Sequence, residues 1–237
     1  MLITNTLTAN RLALARSNEA DMVEAYNTAG ARVCQEATAG RAYIAGDISS
    51  TGQFLEPYGD YTEQQFHDVY AEQAKVLTES SVDLFIIETM TDLNEAVIAV
   101  KACKFVSALP VVASMSFDPT VGKPRTMMGN DIESCVHRLD EAGADVIGSN
   151  CGSITPDQMA EIIAEMRSLT DKPLIAQPNA GVPELIDGRA EFRLPPEDFA
   201  EGLVKCIEAG ARLVGGCCGT TPSHIAALHR AVNSIKY

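Results

Sequence analysis

A vicinal cysteine pair in a glycine-rich turn stopped by proline, Gly215-Gly216-Cys217-Cys218-Gly219-Thr220-Thr221-Pro222, carries the densest chemistry in the chain. A third cysteine, Cys151 in Gly148-Ser149-Asn150-Cys151, ends another strand-like run. Thiolates delivered from two strand ends suit a Zn(II) site with three protein ligands, which keeps a fourth position open for substrate. A substrate thiol entering that position loses its proton at neutral pH, so such a site makes a nucleophilic sulfur without a protein base. Taken singly, Cys151 also reads as a small buried residue, and Cys217-Cys218 as a vicinal disulfide or an incidental pair. The glycines and the helix start at Thr221-Pro222 favour the metal. Cys34, Cys103, Cys135 and Cys206 fall in helical patterns and read as packing residues.

Composition limits what these thiols can mean. The 237 residues, 46% of them hydrophobic, can bury the core of one α/β domain, and no linker or low-complexity stretch divides residues 1–237. The net charge of -14 and the lack of a Lys/Arg cluster speak against nucleic-acid binding. No apolar run approaches the roughly 18 residues of a membrane span, and the start lacks a signal-peptide pattern. A cytoplasmic protein without a membrane partner is expected. Seven cysteines, an odd number, argue against a disulfide framework.

The elements that must position the cysteines alternate along the whole chain. Short apolar runs predict strands at Leu2–Thr4, Tyr43–Asp47, Leu84–Glu88, Val111–Phe117, Val146–Asn150, Leu174–Gln177 and Leu213–Gly215. Amphipathic stretches predict helices at Asn18–Ala39, Thr62–Ser80, Leu93–Ser107, Asp131–Ala142, Pro156–Leu169, Pro196–Ala209 and Pro222–Ile235. Glycine is expected to end helices in Ala29-Gly30-Ala31, Ala142-Gly143-Ala144 and Ala209-Gly210-Ala211. Strict βα alternation without an antiparallel hairpin signal predicts a parallel sheet, open or closed. Polar residues collect at the C-terminal ends of the strands: Asn5, Asp47, Glu88, Ser116, Asn150, Asn179 and the cysteines. They converge on one point if the sheet curls, so a TIM-like (β/α)8 barrel is expected. Seven βα units are found where a closed barrel has eight.

Gly148-Ser149-Asn150-Cys151, Gln177-Pro178-Asn179-Ala180-Gly181 and the Cys217-Cys218 motif together resemble the homocysteine S-methyltransferase family. Thr4-Asn5-Thr6 with Ala9-Asn10-Arg11 resembles that family's second-strand motif, and Ile86-Ile87-Glu88-Thr89 its fourth-strand motif. The likeness covers the chain in order, and the double-cysteine motif looks closest to the methionine synthase branch. It implies Zn(II) held by Cys151, Cys217 and Cys218, a homocysteine thiolate as fourth ligand, and in-line attack on an activated methyl group to give methionine. It implies Glu88 as the carboxylate for the substrate ammonium. The amide of Asn179 would complete the zinc shell without substrate, and Asp47 and Asn150 would line the pocket.

The family's first strand, with its acidic glycine-rich motif, has no counterpart here, so the resemblance implies an N-terminally truncated barrel. The chain would be a fragment or start late in its reading frame, the lost unit would come from a partner chain, or methyl transfer would be lost; separately, the open edge predicts self-association into a homo-oligomer. No corrinoid-binding signature is present, so methylcobalamin, if it is the donor, would be carried by a partner corrinoid protein. The histidines, His67, His137, His224 and His229, read as surface or packing residues. Two other readings stay open: a non-catalytic zinc-binding barrel subunit or fragment, and a redox protein cycling Cys217-Cys218.

Overall fold

Each apolar run becomes a strand followed by a helix. In the computed structural model, which describes residues 1–119 and 122–235, the elements are β1 (Leu2–Ile3), α1 (Arg11–Ala15), α2 (Val23–Thr38), β2 (Ile44–Ile48), α3 (Glu63–Glu79), β3 (Leu84–Met90), α4 (Leu93–Val106), β4 (Val111–Met115), α5 (Ile132–Ala142), β5 (Val146–Asn150), α6 (Pro156–Leu169), β6 (Leu174–Gln177), β7 (Glu184–Ile186), β8 (Arg189–Glu191), α7 (Pro196–Glu208), β9 (Ala211–Val214) and α8 (Pro222–Ser234). The sheet runs β1-β2-β3-β4-β5-β6-β9, and its β1–β2, β2–β3, β5–β6 and β6–β9 ladders are parallel. Sequential strand order with a helix after each strand is the TIM-like barrel class, with seven such strands among the described residues. No helix among the described residues is long and apolar enough to cross a membrane. Contacts gather into two units, Met1–Ala113 with Arg138–Asp145, and Ser114–His137 with the chain from Val146 onward.

In the first unit β2 is buried along its whole length, as a strand covered on both faces must be. Thr62 opens α3 with a reciprocal capping box to Gln65, and the helix sinks Phe66, Tyr70, Ala74 and Leu77 into the core. Polar groups are buried here too, and several of them tie the strands to one another. Gln73 Nε2 donates to Thr6 O (2.9 Å), Asn27 Oδ1 (3.1 Å) and Asp47 O (3.3 Å). Thr4 Oγ1 accepts from the Asp47 amide at 2.9 Å, and Thr6 Oγ1 donates to Asp47 O at 2.8 Å. The Thr4-Asn5-Thr6 motif thus fastens the end of β1 to β2. Glu95, in the first turn of α4, is buried and accepts four hydrogen bonds of 2.8 Å, from Thr51 N, Thr51 Oγ1, Tyr70 Oη and Ser50 Oγ. That carboxylate fixes the loop leaving β2.

In the second unit β5 and β6 approach closely because residue 148 is glycine: a Cβ there would stand 2.0 Å from Ile175 O. Thr155 caps α6 with Gln158 in a capping box, and Pro156 starts its first turn. Thr221 begins α8 in the same way with His224, whose Nε2 lies 2.9 Å from Leu194 O.

Three expectations fail for identifiable reasons. The first long helix begins at Val23, not Asn18, because Asn18 is left-handed (φ 59°) and a 3-10 turn, Ala20–Met22, intervenes. Gly30 lies inside α2 and ends nothing. Its role is contact, since a Cβ would meet Thr6 Cγ2 at 2.6 Å, and the left-handed residue at the helix end is Ala39. Finally, β7 and β8 form an antiparallel hairpin across Asp187-Gly188, both at positive φ. That dipeptide is a strong two-residue turn signal; its flanks lack apolar alternation because almost every hairpin residue is exposed.

Replacing Glu95 by alanine removes the acceptor from four buried or half-buried donors, so Glu95→Ala is expected to cost about 3 kcal/mol of stability. Urea unfolding checks this; a loss below about 1 kcal/mol would show the network to be incidental.

Candidate metal centre

The C-terminal end of β6 acts as a splint between the two cysteine loops. Beyond Gln177 the chain continues as Pro178-Asn179-Ala180, and each of these residues holds one of the loops. Cys151 N donates to Gln177 O at 3.1 Å, extending the β5–β6 ladder by one rung. Cys217 N donates to Pro178 O at 3.0 Å, and Ala180 N donates to Cys218 O at 2.9 Å. The Asn179 side chain spans both loops: its Nδ2 donates to Gly152 O at 2.8 Å and its Oδ1 accepts from Cys218 N at 3.0 Å. Inside the cysteine turn, Cys217 O accepts from Thr220 Oγ1 at 2.7 Å.

This bracing brings three sulfurs to one point. The Sγ atoms of Cys151, Cys217 and Cys218 all lie within 4.8 Å of one another, and Cys151 Sγ is 3.9 Å from Cys218 Sγ. Thiolates on one tetrahedral zinc, with bonds of about 2.3 Å, sit about 3.8 Å apart. The donor set and spacing therefore fit Zn(II). Cys151 and Cys217 are half-buried and Cys218 is exposed, so the point is reachable from solvent.

Backbone and electrostatics both mark Cys151 as a working residue. Its φ is 58°, in the left-handed region that a cysteine occupies at a cost, as residues at functional sites often do. Gly152 follows at φ 75°, where a Cβ would strike Phe117 O at 2.1 Å, so only glycine lets the loop turn there. The Cys217 side chain, hydrogen-bonded to Cys151, pulls its thiol down to about 6 against the opposing effect of burial; the Gly152 amide, Cys218 and Asn179 add to the pull. Buried helical cysteines behave oppositely. Burial pushes Cys206 up to about 12 and raises Cys34 and Cys103, leaving them as inert packing thiols.

Asn150, which the sequence suggested for the pocket, is fully buried, and its Nδ2 donates to Cys217 Sγ at 3.6 Å. Ser114 on β4 donates through Oγ to Asn150 Oδ1 at 2.8 Å. Sequence reasoning passed over Ser114, a lone hydroxyl in the apolar run Val111-Val112-Ala113.

Asp47 and Glu88 form a separate acidic pair within the first unit, at the ends of β2 and β3. Asp47 is buried, and its Oδ1 has no hydrogen-bond partner among the described residues. Burial, and then the charge of Glu88, hold its carboxyl well above the usual carboxylate range. Glu88 is half-buried, its carbonyl accepts from Ser49 Oγ at 2.7 Å, and the next residue, Thr89, is left-handed at φ 59°. A buried carboxyl with an unmatched oxygen, beside a second and half-buried carboxylate, is suited to receive a cation.

Comparison with known proteins shows which family the chain resembles. The homocysteine S-methyltransferase family pattern matches residues 1–232. The chain is 32% identical over 202 residues to methionine synthase of Mycobacterium tuberculosis, covering 83% of this chain and 16% of that protein. It is 30% identical over 204 residues to homocysteine S-methyltransferase 1 of Brassica oleracea var. italica, covering 80% of this chain and 61% of that one. The chain thus spans about a sixth of the first relative's length and under two thirds of the second's. In fold it resembles the metallated homocysteine methyltransferase MmuM of Escherichia coli, with TM-score 0.71, 23% identity, and coverage of 96% of this chain and 78% of that one. With five residues of the chain outside the matched span, and the cysteine motifs within it, the protein belongs to the homocysteine S-methyltransferase family.

Proposed function

We propose that the protein is a zinc-dependent homocysteine S-methyltransferase that forms methionine. The observation that carries this reading is the convergence of three cysteine sulfurs, from two loops braced on one strand end, at the spacing of a tetrahedral thiolate site. Bound there, zinc would hold a substrate thiol as thiolate at neutral pH.

The chain's own residues divide the remaining work. Cys151, Cys217 and Cys218 supply the thiolate ligands, and the low pKa of Cys151 presents it already deprotonated. Asn179 holds the two ligand loops at their separation, its Nδ2 donating to Gly152 O and its Oδ1 accepting from Cys218 N. The family resemblance gives Glu88 and Asp47 the ammonium group of homocysteine, a cation that would match the unpartnered Oδ1 of Asp47. The substrate sulfur then forms a bond to the methyl carbon with its own lone pair, while the donor departs with the electrons of its broken bond to that carbon. Methylcobalamin on a corrinoid module fits the methionine synthase likeness. No disulfide joins the cysteines among the described residues, which suits a reducing compartment such as the cytoplasm.

Two outcomes are expected. Purified protein should bind equimolar zinc, Cys217→Ser should lose at least about a hundredfold in affinity by chelator competition, and Cys103→Ser should keep it. Zinc-loaded protein given homocysteine should make methionine from methylcobalamin or S-methylmethionine; a chain that binds no zinc, or whose Cys217→Ser variant binds it equally well, would contradict the assignment.

The acidic pair yields a second expectation, with a definite sign. Folding raises the Asp47 pKa above its unfolded value of about 3.9, so the folded chain keeps that proton to higher pH than the unfolded chain. The stability this contributes is present below about pH 4 and is lost as pH rises through the folded value. Asp47→Asn should therefore gain on wild type between pH 5 and pH 8, by about 1 kcal/mol or more, in urea titrations. The same variant should bind homocysteine about tenfold more weakly, since it gives up a charge facing the ammonium. A constant stability gap across that range would remove the basis for this role.

A further inference from the structure

Three protein thiolates around one ion pose a problem for a methyltransferase. With the substrate sulfur in place four thiolates surround the centre, and an activated methyl group brought beside them can alkylate any one. Methylation of a ligand would convert a charged thiolate into a neutral thioether: the sulfur lone pair forms the S–C bond, the donor keeps the electrons of the broken bond, and the ligand loses its hold on the metal. A half-buried ligand needs protection that burial does not provide.

Cys217 has a device suited to this. Ser114 Oγ donates to Asn150 Oδ1 at 2.8 Å, and Asn150 Nδ2 donates to Cys217 Sγ at 3.6 Å, with Ser114 and Asn150 both fully buried. An amide has one acceptor end and one donor end. The hydroxyl on Oδ1 therefore decides which way the amide faces and aims its N–H at the sulfur. A sulfur lone pair engaged by N–H is less available to an electrophile, and groups behind a metal ligand commonly tune it in this way.

We infer that Ser114 and Asn150 are positioning residues that keep Cys217 a ligand and withhold its sulfur from the methyl donor. The inference rests on the zinc methyltransferase reading and adds to it a reason for a buried serine with no other chemical role. Ser114 acts entirely through Asn150. Asn150 acts on the ligand sulfur.

Site-resolved alkylation tests the relay. Zinc-loaded protein is treated with iodomethane at neutral pH, where the S–C bond forms as iodide leaves, and each cysteine is followed by peptide mass spectrometry. Ser114→Ala should raise the rate at Cys217 about fivefold, leave Cys151 and Cys218 within about twofold of wild type, and be reversed by Ser114→Thr, which keeps the hydroxyl. Asn150→Ala provides the same test by a different deletion if Ser114→Ala does not fold. Wild-type rates at Cys217 in a zinc-bound variant, or an equal rise at all three cysteines, would overturn the relay while leaving the methyltransferase reading standing. Failure of the wild-type protein to bind zinc would overturn both.

Discussion

The site depends on one constraint: two loops separated by more than sixty residues of sequence must deliver three sulfurs to a single point. The end of β6 meets it. Gln177, Pro178 and Ala180 bind the flanking loops through the backbone, and the Asn179 amide spans from Gly152 to Cys218. The splint starts where the β5–β6 and β6–β9 ladders end, so the geometry of the sheet is carried into the geometry of the cysteines. The left-handed turn at Cys151-Gly152 and the close approach at Gly148 serve the same end on the Cys151 side.

A contrast in how polar groups are buried separates scaffold from site. Glu95 accepts four hydrogen bonds, so this carboxylate holds its loop and helix together at little net cost. Asp47 is buried with an unmatched oxygen beside a second carboxylate, which opposes stability. The cysteines divide in the same way, with packing thiols driven toward protonation and the thiol of Cys151 drawn toward thiolate. Environment, not residue type, distinguishes them.

Much of this was legible in the sequence. The runs Val146–Asn150 and Leu174–Gln177 are strands with the predicted bounds because apolar residues stop abruptly at polar ones there. Val111–Phe117 overran its strand, since Ser116 and Phe117 stay buried after the ladder ends. The cysteines stood out because two adjacent thiols among glycines have few structural uses. Gly30 misled, since glycine inside a helix for packing looks the same in sequence as glycine ending one. Ser114 had no local signal at all: its meaning lies in Asn150, 36 residues away, and becomes visible only when β4 and β5 bring the two together.

The central claim is that the three cysteines form an open zinc site whose fourth position belongs to the substrate thiol. X-ray absorption at the zinc edge of the purified chain, with and without homocysteine, tests it most directly. The account predicts three sulfurs around zinc in the free protein and four when homocysteine is added. An unchanged sulfur shell on adding homocysteine, at concentrations that saturate binding, would contradict it.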